Sequence, residues 1–178
     1  QGGLPTQHDL MTGRAVFTES YAVIPRGVMA DIVTSALPFW DATFAWVLAR
    51  PLSGFAETFS QYLVEVAPGG GSDRPETEDG IEAVLFVMDG ALALVLDGQS
   101  HTLRPGAYVY IPPTSAWGLH NRGGSPARFL WIRKRYAPVK GLPTPEAFVT
   151  REQDVEGEPM PGTNDGWATQ RFVRPDDL

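Results

Sequence analysis

Short apolar runs separated by turn residues dominate the middle of the chain. Runs rich in Val, Leu, Phe and Tyr occupy residues 58–66, 83–88, 91–96, 108–111 and 128–133. Pairs such as Asp97-Gly98 and Pro105-Gly106 stand between them. Short strands punctuated in this way are typical of an all-β sandwich or barrel. Asp97-Gly98 predicts a tight hairpin, because a glycine takes the positive φ that such a turn demands.

The run at residues 91–96 predicts the surroundings of one strand. Its leucines fall on one face, while Ala91, Ala93 and Val95 fall on the other. Both faces are apolar, so the strand should be covered on both sides. We therefore expect association with a second barrel or between copies, as a homo-oligomer. An interior strand beneath the N-terminal arm accounts for the pattern equally well.

The two ends of the chain lack the strand pattern of the middle. Residues 1–54 contain short apolar pieces broken by Pro25, Gly27 and Pro38, which predicts an extended arm with strands that pack on a barrel. Residues 55–137 carry the barrel itself. Residues 138–178 are rich in proline, and the last 28 hold seven acids and three bases, a net charge of −4. This predicts a Pro-rich acidic linker.

Composition removes several classes of function. The 178 residues include no cysteine, which excludes disulfides, thiolate zinc sites, iron–sulfur clusters and Cys nucleophiles. The net charge of −7 argues against a nucleic-acid surface. The longest apolar runs have six residues, whereas a membrane span needs roughly 18. With no signal segment at its start, the chain is expected to be a soluble cytoplasmic protein.

Two groups of residues have the spacing of the cupin superfamily motifs. The second motif is matched by Gly106, Pro112, Thr114, Trp117 and Asn121. The first is matched by Gly70, Glu76, Glu78, Ala83 and Gly90. The chain thus resembles a cupin, which implies a double-stranded β-helix, a jelly-roll-like barrel.

The resemblance also locates four metal-ligand positions, which we call the ligand frame. In a working cupin they hold three His and one Glu, a set suited to manganese or iron. Here they hold Glu76, Glu78, Ala83 and Trp117. We predict no metal in this chain, with Trp117 filling the cavity and the two glutamates in a solvated acidic loop. A one-residue bulge that brings Glu82 into the frame is the alternative.

Four other residues are candidates for contacts with a ligand. Tyr108 and Tyr110 share one strand face and could line a pocket, although cross-strand aromatic packing is the commoner arrangement. Arg133 could hold a carboxylate with both of its donors, or it could simply blunt the end of a strand. Arg26 could reach an anionic ligand, although a structural ion pair explains it better. No catalytic residue is assigned.

A closer resemblance extends beyond the barrel. Segments at residues 21–29, 37–40, 49–59, 131–134, 159–163 and 167–173 resemble the N-terminal half and linker of the glyoxylate-induced bicupins, which are (S)-ureidoglycine aminohydrolases. The resemblance implies hydrolysis of ureidoglycine to ureidoglycolate and ammonia in purine (allantoin) catabolism. It also implies a Mn²⁺ ion in a C-terminal cupin that has no counterpart here.

Three functional hypotheses follow. The first is a metal-free N-terminal cupin of such a hydrolase, inactive alone, with a second cupin barrel as its partner and a small molecule as the substrate of the whole enzyme. The second is a non-enzymatic cupin module that binds a small organic acid. The third is an independent metalloenzyme that uses Glu76, Glu78 and Glu82.

Overall fold

The structure, a computed structural model, describes residues 15–17, 21–25, 35–50, 58–159 and 167–173. These residues form thirteen strands and one 3₁₀ turn at Glu152–Asp154, with no α-helix among them. The strands are β1 Val16–Phe17, β2 Ala22–Val23, β3 Asp41–Ala49, β4 Phe59–Ser72, β5 Ile81–Asp89, β6 Leu92–Leu96, β7 Gln99–Leu103, β8 Ala107–Ile111, β9 Trp117–His120, β10 Ala127–Arg135, β11 Phe148–Arg151, β12 Gly157–Pro159 and β13 Ala168–Gln170. The all-β prediction is confirmed.

Nine of these strands form one antiparallel sheet in the order β11-β8-β5-β10-β4-β9-β6-β7, with β3 paired to β4 outside that path. Strand β4 changes partners along its length. Its first half pairs with β10 on one side, whereas Gly71 and Ser72 pair with β9, and β3 pairs with β4 from Gln61 to Gly71. This exchange carries the sheet from one wall of the barrel to the other, so that one face encloses the core.

The core follows from the period-two alternation of the strands. On β5 and β8 every second residue is buried, and the register places Leu85 opposite Val109 and Trp131. On β6 the three leucines are at most 5% exposed. Because adjacent strands keep this register, the buried apolar side chains meet in one hydrophobic cluster.

The β6–β7 hairpin forms as predicted. Leu96 pairs with Gln99, which leaves Asp97 and Gly98 as a two-residue turn with φ of 48° and 82°. Positive φ at both positions defines the type I′ geometry that matches strand twist. The outer face of β6 is open in this chain, with Val95 45% exposed. Whether a second layer covers it stays a prediction about assembly.

Both ends contribute to the main sheet more than the sequence indicated. In the predicted arm, β3 runs along β4 over most of its length. In the predicted linker, β11 pairs with β8, and Val149 packs against the core. Strand β11 thus belongs to the main sheet although it lies in the segment predicted as a linker, and the division into arm, barrel and linker stays a prediction. Within the described residues, no helix is long and apolar enough to cross a membrane.

Candidate functional site

The ligand frame lies at one end of the barrel. Glu76 and Glu78 stand in the loop between β4 and β5, Ala83 is on β5, and Trp117 begins β9. The cross-strand partner of Ala83 is Arg133 on β10. The β4–β5 loop, β5 and β9 thus bring the four positions of the ligand frame to this end of the barrel, and Arg133 lies beside them.

Glu76 is bound by Arg133 through both carboxylate oxygens. Arg133 Nε donates to Oε2 at 2.7 Å, and Nη2 donates to Oε1 at 2.7 Å. The backbone N–H groups of Thr77 and Glu78 donate to the same Oε1 at 2.9 and 3.0 Å. The Glu76 and Arg133 side chains are only 15% and 16% exposed. The carboxylate that was expected in a solvated loop is therefore largely buried and accepts four hydrogen bonds.

Arg133 also contacts the second glutamate of the frame. Its Nη2 donates to Glu78 Oε1 at 3.0 Å, and its guanidinium lies 5.8 Å from the centre of the Trp131 ring. Burial alone would lower the pKa of Arg133, but the hydrogen bonds and charges of Glu76 and Glu78 outweigh it and raise that pKa. Of the two roles considered for Arg133, the structure shows carboxylate binding, and the carboxylates belong to the chain itself.

Glu82 does not enter the frame. The register between β5 and β10 is unbroken from Ile81 to Phe86, so Glu82 lies on the face opposite to Ala83. There it accepts a hydrogen bond of 2.8 Å from the Tyr110 hydroxyl and lies 3.3 Å from Lys134 Nζ. The bulge alternative, and with it the three-glutamate metalloenzyme, is wrong.

Trp117 lies in an aromatic cluster inside the barrel. It is 8% exposed and meets Trp131 edge-on at 5.8 Å and Trp40 edge-on at 6.5 Å. Trp40 also stacks on Phe129 at 6.2 Å, and its Nε1 donates to the Pro75 carbonyl at 3.2 Å. The last ligand position is therefore occupied by an apolar ring, and the cluster holds the start of the 75–80 loop.

The donor set of the frame does not fit a transition-metal ion. A cupin metal needs imidazole and carboxylate donors with free lone pairs. Glu76 is bound by a guanidinium, Ala83 has no donor, and an indole N–H cannot coordinate. Across the described residues, no three His, Asp or Glu side chains come together around a point where an ion could bind.

A cleft of about 480 Å³ opens beside the frame. It is lined by Glu76 and Glu78, which bind Arg133, and by the buried Trp117 and Ile111. His120 pairs with Asp73 at 2.8 Å, although the Asp73 side chain is 98% exposed. The cleft is large enough for a small metabolite.

Two motif residues have structural roles that their positions explain. Asn121 is 1% exposed, and its side-chain amide donates to the Val66 and Ser125 carbonyls at 2.8 Å each. Its Oδ1 accepts from the Gly123 N–H at 2.9 Å. A Cβ at Gly70 would lie 2.7 Å from the Asp41 carbonyl oxygen, which excludes a side chain. These residues stabilise the barrel through contacts within the chain.

Tyr108 and Tyr110 share a face, as predicted, but it is the outer one. Tyr108 stacks on Phe172 at 4.8 Å and on Phe148 at 5.9 Å, while Tyr110 stacks on Phe148 at 5.8 Å. Burial raises the pKa of both hydroxyls, and Glu82 raises that of Tyr110 further. They do not line the cleft. Arg26, the remaining candidate, lies outside the described residues.

Sequence reasoning missed the pairing of Arg133 with Glu76 and the position of Trp40 in the aromatic cluster. A signal for the first was present, because alternation along β10 places Arg133 on the same face as Phe129 and Trp131. A charged side chain on an apolar face needs a partner. No comparable signal identified the partner, which is 57 positions away.

Comparisons with known proteins agree with this architecture. Residues 62–133 match the family model described as the cupin domain. Together with the strand arrangement and the motif spacing, this match shows that the chain contains a cupin domain.

More particular relatives point to one branch of the cupins. The (S)-ureidoglycine aminohydrolase of Escherichia coli K12 is 28% identical over 137 residues, which are 76% of this chain and 50% of that protein. A protein of Pseudomonas aeruginosa assigned as glyoxylate-induced is 57% identical, with a TM-score of 0.85 over 99% of this chain and 64% of its own. E. coli YlbA is 26% identical and superposes with a TM-score of 0.72. The match covers 86% of this chain and 61% of YlbA.

These relatives confirm the resemblance drawn from the sequence. They are also longer than this chain, which spans about half of the curated relative and under two thirds of the two solved structures.

Proposed function

We propose that this chain is the metal-free, non-catalytic cupin of a ureidoglycine aminohydrolase-type bicupin. The observation that carries the proposal is that Arg133 binds Glu76, so that this carboxylate of the ligand frame is not free to bind a metal. The chain is also similar to that enzyme in sequence. The whole enzyme would convert ureidoglycine and water to ureidoglycolate and ammonia. A Mn²⁺ ion in the other barrel would supply Lewis-acid chemistry.

The contribution of this chain to such an enzyme is mechanical. Its core is packed and the Glu76 carboxylate is neutralised within the chain, while its exposed apolar side chains offer contacts for another barrel. Phe44, Met88 and Val95 are 48%, 50% and 45% exposed. A stable partner covering such side chains would remove apolar surface from water. The second barrel, in the same polypeptide or in another copy, would then hold the reacting groups.

The test compares this chain with its combination with a metal-bearing cupin. The purified chain should contain far less than one manganese per molecule and release no ammonia from ureidoglycine. Adding a separately expressed, manganese-bearing cupin barrel of the same enzyme family should give a complex with turnover, and the E. coli enzyme serves as the positive control. Stoichiometric manganese together with turnover by the chain alone would overturn the proposal.

The cleft favours a second candidate, a binding module for a small organic acid. Arg74, Arg122 and His120 line it and could meet a carboxylate. Four acids also line it, which weakens the case for an anion. Calorimetry with glyoxylate, ureidoglycolate and allantoate separates the candidates, because only the binding module predicts saturable heat with the isolated chain.

A further inference from the structure

Three of the four positions of the ligand frame adjoin one cation, Arg133, and the fourth, Trp117, is connected to it through Trp131. Arg133 is hydrogen-bonded to Glu76 and Glu78, and it is the cross-strand partner of Ala83. It also lies over the ring of Trp131, which contacts Trp117. In a metal-bearing cupin these positions converge on the ion.

We infer that the Arg133 guanidinium takes the structural place of the metal ion, as the positive charge that ties the loop containing Glu76 and Glu78 to strand β10. The inference goes beyond the proposed function, because it concerns what closes this end of the barrel and makes no reference to a reaction.

The geometry explains why a guanidinium can do this. Its planar fork matches a carboxylate with two parallel hydrogen bonds, and it remains charged at any physiological pH. A flat ring beneath it, here Trp131, is a favourable surface for such a cation. Arg133 thereby satisfies the two demands that a metal would satisfy, because it neutralises neighbouring carboxylates and fixes the direction of each.

The frame without this cation would be unstable. The Glu76 carboxylate, whose side chain is 15% exposed, would lose its counter-charge, and Glu78 would keep only the exposed Arg135, 3.9 Å away. Removing one partner of such a pair leaves the other charge uncompensated. If Arg133 acts in place of a metal, a divalent cation should partly restore what its removal takes away.

The experiment is thermal unfolding of the full chain, treated with chelator and then measured with and without millimolar Mn²⁺. The test variant is Arg133→Met, and the matched control is Arg128→Met, which removes the Arg128–Glu65 pair on the outer face of the same strand. We expect Mn²⁺ to raise Tm of Arg133→Met by about 2–4 °C, as cation binding to the native state alone would. Wild type and Arg128→Met should not change.

A double variant identifies where the ion acts. Arg133→Met combined with Glu76→Gln removes both charges of the pair, and Mn²⁺ should leave its Tm unchanged. An equal Mn²⁺ effect in the double variant, or no greater effect in Arg133→Met than in wild type, overturns the inference. Neither result bears on ammonia release, so the proposed function is tested separately.

A third variant tests the inference if Arg133→Met does not fold. Arg133→Lys keeps one charge but loses the planar fork, so it should have a lower Tm than the wild type and a small increase in Tm with Mn²⁺ that the wild type lacks. A wild-type Tm with no response to Mn²⁺ in Arg133→Lys would show that the fork is not needed, and would also overturn the inference.

Discussion

The two faces of the main sheet carry similar residues in different surroundings. The inner face has the Trp40, Trp117 and Trp131 cluster and a largely buried arginine–glutamate pair. The outer face has the tyrosine and phenylalanine stack of β8 and β11, and the Arg128–Glu65 pair. In that pair Arg128 Nε lies 2.6 Å from Glu65, but the side chains are 46% and 20% exposed.

The difference shows that residue type does not set the role of these groups. A surface ion pair is screened and contributes little, whereas a desolvated pair is strongly destabilising when it is broken. Aromatic rings within the barrel occupy its closed interior, where their loss leaves a cavity. Rings on the outer face pack against the sheet, and most remain partly exposed to water. Each prediction below changes one face and uses the other as the reference.

The largest effect is expected from the inner aromatic cluster. Trp117→Ala should reduce the free energy of unfolding by about 3–5 kcal/mol, because it leaves a cavity bounded by two other indoles. Phe172→Ala, on the half-buried outer stack, should cost about 1 kcal/mol. Urea unfolding measures both. Equal losses would mean that the two clusters are packed alike.

The next largest difference is expected between Arg128 and Arg133, which lie on opposite faces of β10. Arg133→Met should cost about 2–4 kcal/mol, somewhat less than a fully buried pair because a part of each side chain meets water. Arg128→Met should cost at most about 1 kcal/mol. Denaturant titrations at low and high salt make the contrast sharper, since only the outer pair should be sensitive to screening. A salt-sensitive Arg133 would contradict the comparison.

The outer face has its own dependence on pH. The pKa of Tyr110 is raised in the folded protein, by burial first and by Glu82 second. Folding therefore favours the neutral phenol, so this stabilisation is complete below about pH 10 and is lost as the pH rises further. In Tyr110→Phe, unfolding free energy should fall less steeply between pH 9 and about 11.5, by up to about 1.4 kcal/mol per pH unit.

A parallel decline in wild type and Tyr110→Phe would show that Tyr110 does not carry this dependence. Glu82→Gln provides the matched control, because it retains a hydrogen-bond acceptor for the hydroxyl but removes the charge. Its alkaline decline should begin at the same pH as that of the wild type, near the pKa of an unfolded tyrosine, but should end at a lower pH and be smaller in total.

The smallest effect on stability is expected at Val95, where a side chain is already half in water. Val95→Asp should change the unfolding free energy of the monomer by no more than about 0.5 kcal/mol. If a second copy covers β6, the same variant should shift the chain from dimer to monomer in size-exclusion chromatography. A monomeric wild type would remove the reason for expecting a covered strand.

The strand content and the barrel class could be predicted because they depend on local pattern. Alternation, the Asp97-Gly98 turn and motif spacing all act over a few residues. The strands at the edges of the sheet were harder to predict. Strand β11 is short and follows a run of prolines, so its membership of the sheet depends on its pairing with β8.

The chemistry of the frame could be predicted only as a loss of ligands. Motif spacing identified Glu76, Glu78, Ala83 and Trp117, but it did not indicate that an arginine would bind two of them. Contacts between distant parts of a chain are set by the closure of the barrel, which a single sequence does not encode in any local signal. The environment of Glu76 was consequently misjudged, since its surroundings in sequence are polar.

The tryptophan cluster has an optical consequence. Three indoles with centres 5.8 to 6.5 Å apart are close enough for their electronic transitions to couple. Trp167, by contrast, is 71% exposed in the C-terminal segment. Circular dichroism of the coupled rings should thus report on the barrel interior. Quenching of the red-shifted fluorescence of Trp167 should report on the C-terminal segment. One unlabelled sample can therefore follow the two regions separately.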